Sequence, residues 1–402
     1  MTVRVTKPEF NLREKLTELD RPVGTHGSQI MKSNTISETA KLVGADRKNI
    51  IINGDFRVNQ RGGTKTYGAS VTGYHIDQWY FHNGTNGTYT ASVSSAAPSP
   101  SVQTPHYLVL DCTAADTSIG TNQYASITYG VEGYNAQQTM WGTPYAKPLT
   151  LSFYHRHTAT GVYSGVVRNA SANFNYVFEY EQSSKDAWEK AVIHIKPEGT
   201  QAYNATNGKA FSFTFSMADN TYMSETVGQW FSGTYYHASN RQTNFFNSTN
   251  NFMRFAAVQL EVGSDATPFE QCSYGEELSL CQRYFAVWPP RSGGTPAWPV
   301  YTGGSQASAY IWIPHTMRVV PTPTDAGTGT STTTGYAYNN NGQGVTTRYA
   351  NGSSPTLSSG GDATNGQYAL KMDFGSYSSG GHEADVASWN GASPGIFLSA
   401  EL

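Results

Sequence analysis

Four carboxylate side chains lie close together in the sequence and could supply the acid and the nucleophile of a glycosidase. They are Glu179, Glu181, Asp186 and Glu189, around the segment QSSKDAW. Glycoside hydrolysis needs two such groups on opposite sides of the scissile bond. This segment has the composition of a surface turn, however, where carboxylates are normally solvated. We therefore expect these residues to be structural and the chain to have no enzymatic activity.

Two histidines and the cysteines are the other residues that could hold a metal ion or act as a nucleophile. His155 and His157 stand two apart at the end of an apolar strand pattern, but no third ligand is near in the sequence. Cys272 and Cys281 are nine apart, which is not a zinc-ligand spacing, and no P-loop, HExxH or GxSxG motif is present. The sequence thus predicts no catalytic residue, no metal and no cofactor, and it places both histidines at a surface strand end.

The composition limits the partners that the chain can have. Only 14% of its residues are charged, against about 25% in ordinary soluble domains, and the net charge is −3. A chain with this net charge is not expected to carry the basic surface that binds nucleic acid. No apolar run approaches the length of a membrane helix, and the N-terminal residues lack the apolar core of a secretory signal. We expect no nucleic acid, no membrane insertion, and assembly in a reducing cytoplasm.

Most of the chain carries the alternating pattern of half-buried strands. Apolar and polar residues alternate over 149–154, 174–178 and 211–216, and a largely apolar strand follows at 255–260. Asn-Gly clusters separate the runs, as in antiparallel sheets with one buried and one solvated face. The pattern predicts a mainly β chain with an antiparallel, jelly-roll-like β-sandwich over residues 50–275. It also places a strand at 50–52, before a turn at 53–55.

Residues 1–49 form a separate, charged N-terminal segment that contains 15 of the 55 charged residues. An apolar stripe of Leu12, Leu16 and Leu19 predicts one short helix, and a second short helix is predicted to end at Gly44. Each is too short to be stable alone and needs a partner surface. The partner is either the body of the same chain, another copy of it or another protein, and we expect these three leucines to form an attachment site.

Residues 276–402 are predicted to form a second β-rich domain that begins with a short helix over 276–285. This region is poor in charge and rich in Gly, Ser, Thr and Asn. Such a composition is also typical of disorder, but tyrosines recur through it and favour short strands joined by long turns.

Aromatic residues in loop-like contexts are candidates for stacking on sugar rings. Five of them stand out, although each could equally be partly buried packing. They are Tyr134, Trp141, Tyr145, Tyr235 and Tyr236.

Several stretches resemble a family of bacteriophage tail-fibre and related virion proteins of a type found in marine phages. These are KNIIINGDFRVNQRG at 48–62, GYHIDQWYF at 73–81, and the stretches 151–195, 256–285, 313–324 and 398–402. The segment VTKPEFNLREKLTELDRPVG at 5–24 is similar to N-terminal leaders of such proteins in marine phages. The resemblance implies a carbohydrate-binding-module-like sandwich and a homotrimer on the virion. It spans proteins of tails and of heads, so the location on the particle stays open. Residues 154–156 depart from the family pattern, so ligand contacts cannot be transferred.

Three functional hypotheses follow. The first is a trimeric fibre or spike, attached through its N-terminus to other virion proteins, which binds host surface polysaccharide. The second is a head decoration or connector protein with no host ligand. The third, which the absence of catalytic motifs disfavours, is a polysaccharide depolymerase.

Overall fold

The computed structural model describes residues 47–96, 104–233, 236–288, 316–319 and 396–402, the single residues Lys32 and Val102, and the backbone of seven further strands between 297 and 388. Residues 49–402 form one compact unit, distinct from residues 1–48. The predicted N-terminal helices, with Leu12, Leu16 and Leu19, lie outside the described residues. In the part of the chain that is described, no helix is long and apolar enough to cross a membrane.

Two antiparallel sheets form the body of this unit. The strands of the first sheet are β1 (Lys65–Tyr67), β4 (Thr88–Ser94), β5 (Tyr107–Ala114), β7 (Leu149–His157), β10 (Glu189–Ile195) and β15 (Phe252–Val262). Those of the second are β2 (Val71–Tyr74), β3 (Trp79–Asn83), β6 (Tyr124–Glu132), β8 (Gly161–Asn169), β9 (Phe174–Gln182), β11 (Lys209–Asp219) and β13 (Trp230–Ser232). The strand order is β1-β4-β5-β15-β7-β10 in the first sheet and β13-β9-β8-β11-β6-β3-β2 in the second.

The inner faces of the two sheets meet in an aromatic core. The ring of Phe215 on β11 lies 4.9 Å from that of Phe153 on β7 and 4.7 Å from that of Phe255 on β15. Alternation along β11 turns Phe213 and Phe215 inward and Thr214 outward, as the period-two pattern requires. Burying each such ring contributes about 1.5–3 kcal/mol. The prediction of a mainly β chain built around an antiparallel sandwich is confirmed.

Residues 50–52 are buried but do not form the predicted strand. The side chain of Asn49 accepts hydrogen bonds from the backbone N–H groups of Ile51 and Leu260. These bonds take the place of backbone hydrogen bonds that paired strands would form. The following turn presses Gly54 against the bulge in β15, where an added Cβ would lie 2.1 Å from the carbonyl oxygen of Val258. Only glycine allows this approach.

The predicted short helix is confirmed near its expected position, as α2 (Tyr274–Gln282), after α1 (Gly133–Ala136). The side chain of Ser273 caps α2 by accepting from the backbone N–H of Glu276. Phe285, which was expected to end the helix, instead begins a strand, β16 (Phe285–Trp288). Beyond the helix, Tyr284 and Arg283 both donate to the buried carboxylate of Glu132 on β6, which ties this segment to the sandwich.

Strands that follow α2 form two further antiparallel sheets. Strand β16 pairs with β24 (Ile396–Ser399), which also pairs with β19 (Thr322–Asp325). Six more strands are β17 (Ala297–Gly303), β18 (Gln306–Trp312), β20 (Tyr336–Asn339), β21 (Leu357–Ser358), β22 (Ala369–Phe374) and β23 (Ala384–Ser388). They form one antiparallel sheet with the order β20-β23-β17-β18-β22-β21. The last two strands described, β12 (Met223–Ser224) and β14 (Ala238–Ser239), form a parallel pair. Whether residues 276–402 are a separate domain stays a prediction.

The two histidines expected at the surface are in fact buried. His155 and His157 are at most 1% exposed because they continue the inward-facing positions of β7. The Nδ1 atom of His155 lies 3.0 Å from the side-chain oxygen of Gln182, and the Nε2 atom of His157 lies 3.3 Å from the hydroxyl of Tyr180. Among the described residues, no group of His, Cys, Asp and Glu side chains is arranged to hold a metal ion.

The buried His157 should make the stability of the protein sensitive to mild acid. Burial, reinforced by His155, holds the pKa of His157 well below its usual value, so the folded state keeps the ring neutral. The unfolded chain binds this proton below about pH 6.5. Between pH 7 and pH 5 the wild type should therefore lose about 2 kcal/mol of stability relative to the variant His157→Phe, as measured by urea unfolding.

A matched control for this comparison is Tyr180→Phe, which removes the same hydrogen bond and leaves the histidine in place. It should retain the wild-type dependence on pH. An equal dependence in the wild type and in His157→Phe would contradict the assignment of a neutral, buried His157.

Candidate functional site

The outer face of the second sheet carries a cleft whose floor is set by the strand register. Tyr74 on β2 pairs with Tyr80 on β3, Tyr80 pairs with Thr128 on β6, and Thr128 pairs with Thr214 on β11. A second row joins Gly130 to Ser212 and Ser212 to Arg168 on β8. Because directly paired residues project from the same face, these side chains form one continuous surface.

Small side chains in the middle of this face make it concave. Ser126, Thr128, Gly130 and Ser212 line the bottom of a cleft of about 390 Å³. The hydroxyl of Thr128 makes this floor polar and lies 2.9 Å from the hydroxyl of the fully buried Thr214. The taller side chains stand around this floor, so a ligand that entered would meet hydroxyl groups below it and rings beside it.

One wall of the cleft is a stack of three rings. The ring of Tyr124 lies 4.2 Å from that of His82 on one side and 3.9 Å from that of His237 on the other. Burial lowers the pKa of both histidines, that of His237 well below its usual value. At neutral pH the stack therefore presents uncharged imidazoles, which can both donate and accept hydrogen bonds.

A second wall consists of Tyr74 and Tyr80. Their rings meet edge to face at 5.2 Å, and the hydroxyl of Tyr74 donates to the carbonyl oxygen of Leu402. That hydrogen bond holds Tyr74 in place. Tyr80 is only partly buried and its neighbour on β3, Trp79, points the other way into the core. Tyr80 is thus the aromatic ring of the cleft best placed to stack on a ligand.

The third boundary of the cleft is basic. Arg168 is 8% exposed, and its guanidinium lies 3.4 Å from Nε2 of His237 and 3.4 Å from the hydroxyl of Thr214. Lys209, on the neighbouring strand β11, is half-buried at the same end. Burial, and then the charge of Arg168, lowers the pKa of the Lys209 ammonium. Two cations therefore share this end of the cleft.

None of the described aromatic residues proposed from sequence lines this cleft. Trp141 is buried in the core, with its indole N–H donating to the carbonyl oxygen of Lys147, and so offers no free ring face. The sequence placed Trp141 in a loop, but the turn folds back so that its ring lies 4.7 Å from the ring of Phe211. Tyr134 and Tyr145 are 53% and 74% exposed but lie elsewhere on the surface.

The remaining members of that set give no further contact in the cleft. Tyr236 is half-buried against Phe231, with 5.1 Å between the rings, and Tyr235 lies outside the described residues. The proposed glycan role of Tyr134, Tyr145, Tyr235 and Tyr236 stays a prediction.

Three of the four clustered carboxylates are engaged by neighbouring groups, and the fourth, Glu181, is exposed. Glu179 pairs with Arg241 at 3.0 Å and Asp186 pairs with Arg156 at 2.6 Å. Glu189 accepts from the backbone N–H groups of Ser183 and Ser184, which holds the turn together. This arrangement agrees with a structural use of these side chains.

A weak signal for the cleft was present in the sequence. The outward positions of β6 and β11 are Ser, Thr and Gly, while β3 places Tyr80 and His82 on the same face. Small residues on central strands beside aromatic residues on an outer strand make a groove. The signal could not be used, because the sequence does not say that β3, β6 and β11 are neighbours.

Fold and site together define the class of the protein: an antiparallel β-sandwich with an aromatic, hydroxyl-lined and basic cleft on the outer face of one sheet. Comparison of the sequence with protein-family models gave no match, and comparison with curated proteins gave none either.

Several solved structures share part of the fold. The enzymatically active domain of tailspike protein 4 of bacteriophage CBA120 matches 54% of this chain and 21% of its own, at 9% identity and a TM-score of 0.28. This chain thus spans about a fifth of that domain. The module TmCBM61, solved with β-1,4-galactotriose, matches 54% of this chain and 100% of its own, at 12% identity and a TM-score of 0.28.

A family 11 carbohydrate-binding module from Clostridium thermocellum, solved with a β-1,3-1,4-mixed-linked tetrasaccharide, is also similar. It matches 50% of this chain and 95% of its own, at 13% identity and a TM-score of 0.26. TM-scores in this range bear on neither the family nor the function of the chain.

Proposed function

We propose that this chain is a virion appendage protein that binds a saccharide of the host surface in the cleft of its seven-stranded sheet. The observation that carries the proposal is the combination of a partly exposed ring, Tyr80, with a floor of small hydroxyl residues. Aromatic rings pack against the C–H faces of sugars, and hydroxyl and imidazole groups bond to sugar hydroxyls. The same residues would be a poor site for a purely apolar ligand.

The place of the protein on a virion is proposed from the sequence resemblance. In this proposal residues 1–49 attach the chain to another virion protein through Leu12, Leu16 and Leu19, and three chains assemble into a fibre or spike. The sandwich begins at Asn49, whose side chain is bonded to β15. A protein that starts at Asn49 would therefore keep its fold and bind saccharide, yet fail to join particles.

Screening the full chain on an array of bacterial surface polysaccharides tests the saccharide proposal. The variant Thr128→Trp fills the floor of the cleft with an indole ring and should abolish any binding that is found. Its matched control is Thr113→Trp, at an exposed position of β5 in the other sheet, which should bind like the wild type. The absence of any bound saccharide, or equal binding by Thr128→Trp, would contradict the proposal.

We also propose that the protein does not cleave the saccharide that it binds. The variants Glu179→Gln and Glu181→Gln should bind polysaccharide like the wild type, and none of the three proteins should release reducing ends. Loss of the ion pair between Glu179 and the exposed Arg241 should cost less than about 1 kcal/mol of stability. Release of reducing ends by the wild type, abolished in either variant, would show a depolymerase instead.

A further inference from the structure

Residues 400–402, here called the closing segment, are fastened to the rest of the protein one by one. The backbone N–H of Ala400 donates to the carbonyl oxygen of Tyr284 at 2.7 Å. The guanidinium of Arg318 donates to the carbonyl oxygens of Ala400 and Glu401, in both cases at 2.7 Å. Because these backbone groups are paired, the segment has one defined course along the protein.

The side chain of Glu401 adds a further contact to the closing segment. The guanidinium of Arg61 donates to its carboxyl group at 2.7 Å, and both side chains are at most 14% exposed. The same guanidinium lies 3.5 Å from the centre of the Phe285 ring. Breaking a hydrogen bond between buried groups costs more than breaking a surface contact, so this bond holds the segment firmly.

Leu402 brings the closing segment into the cleft. It is one of the residues that line the cleft, and its backbone oxygen accepts from the hydroxyl of Tyr74. It also lies directly over Gly130, since a Cβ added to this glycine would be 3.3 Å from the Cβ of Leu402 and 3.6 Å from its Cδ1. The missing side chain of Gly130 thus makes room for the leucine, which covers the floor at this end.

The rest of this end is bounded from the neighbouring strands. Lys209 lies beyond Ser212 on β11, where it pairs with Glu132. The turn at 170–172 follows β8 and also lines the cleft. Together with Leu402, these groups form a boundary that extends from β6 across β11 to β8.

The ring stack bounds the opposite end of the cleft. His82 on β3, Tyr124 on β6 and His237 stand side by side, and Nε2 of His237 lies 3.4 Å from the guanidinium of Arg168 on β8. The stack therefore runs across the strands. The described residues thus bound the floor at both ends of the strand direction, and a saccharide lying along the strands would have to stop at each of them.

The size of the cleft agrees with a short ligand. Its volume of about 390 Å³ is near the lower end of the range of about 300–1,000 Å³ that is usual for small-molecule sites. A long polymer that passed through the site would need an open groove instead.

We propose that the closing segment makes the cleft a pocket for the end of a saccharide chain, and that internal stretches of a long polysaccharide do not enter it. The terminal sugar lies on the hydroxyl floor beside Tyr80, and the rest of the saccharide leaves toward solvent. This inference rests on the proposed function, because it requires that the cleft bind saccharide at all.

Competition between intact and cleaved polysaccharide tests this preference on the wild-type protein. A polysaccharide identified on the array is cut by mild acid into shorter fragments, which leaves the mass of sugar unchanged and multiplies the number of chain ends. When the number of ends rises tenfold, the fragments should displace the protein from immobilised polysaccharide about tenfold better per unit mass, because the concentration of binding ends rises in that proportion.

The variant Leu402→Gly tests whether the closing segment causes the preference. It opens the Gly130 end to internal stretches, which then compete with the ends by mass action, so the advantage of the fragments should fall to less than about threefold. Leu402→Met fills the space again and should restore the advantage. Val192→Gly removes an exposed apolar side chain from β10 of the other sheet and should behave like the wild type.

Each outcome of the experiment has a definite meaning. Equal displacement per unit mass by fragments and intact polymer would overturn the inference while leaving saccharide binding intact. An advantage of the fragments that persists undiminished in folded Leu402→Gly would also overturn it, because the closing segment would then not create the preference. Binding of no saccharide by the wild type, anywhere on the array, would overturn both the inference and the proposed function.

Discussion

The variant Trp79→Ala should lower the free energy of unfolding by about 3–5 kcal/mol. Trp79 is fully buried, and its ring packs against Phe56, Tyr129 and Phe213 at 4.9 to 5.8 Å. Its indole N–H also donates to the carbonyl oxygen of Asn53, which ties the 49–58 segment to the sandwich. Removing the ring leaves a cavity and breaks this buried hydrogen bond, and urea unfolding measures the combined loss.

A second tryptophan provides the control for this loss. Trp188 is only partly buried and packs on Tyr107 at 5.5 Å, in a small cluster outside the main core. Trp188→Ala should therefore cost less than half as much as Trp79→Ala. Equal losses would mean that the aromatic core does not dominate the stability of the sandwich.

The variant Tyr80→Ala, one residue further along β3, should weaken saccharide binding and leave the stability of the protein almost unchanged. Tyr80 faces the cleft, so its loss should weaken saccharide binding by tenfold to a hundredfold, which corresponds to about 1.4–2.8 kcal/mol. Because the ring is partly exposed, the midpoint of urea unfolding should change little. Titration calorimetry with a saccharide identified on the array measures the affinity.

The tyrosine that is most exposed provides the control for binding. Tyr145 is 74% exposed and lies outside the cleft, so Tyr145→Ala should bind like the wild type. If Tyr145→Ala lost binding and Tyr80→Ala kept it, the binding surface would be the one suggested by loop aromatics and not the cleft.

The strands of the sandwich could be predicted from the sequence because burial on one face imposes a period of two. The runs at 149–154, 174–178, 211–216 and 255–260 all lie within strands of the two sheets. The prediction of a strand at 50–52 was wrong. Periodicity cannot detect that the side chain of Asn49 accepts hydrogen bonds that a neighbouring strand would otherwise accept. The prediction that His157 lies at the surface was wrong, because the alternation of β7 turns its side chain inward up to the last residue of the strand.

The cleft depends on contacts that no local pattern specifies. Arg168 and Ser212 are 44 positions apart and become neighbours only when β8 pairs with β11. His237 joins Tyr124 from a loop more than a hundred residues away. Residue type led to an expectation of aromatic stacking, but only the strand register shows which rings share a surface.

The crystal structure of the protein with a saccharide that it binds tests the central claim most directly. We expect the sugar in the cleft of the seven-stranded sheet, with one ring against Tyr80 and hydroxyls within hydrogen-bond distance of Thr128 and His237. A saccharide bound at Tyr134, at Tyr145 or on the six-stranded sheet, with the cleft empty, would contradict the account.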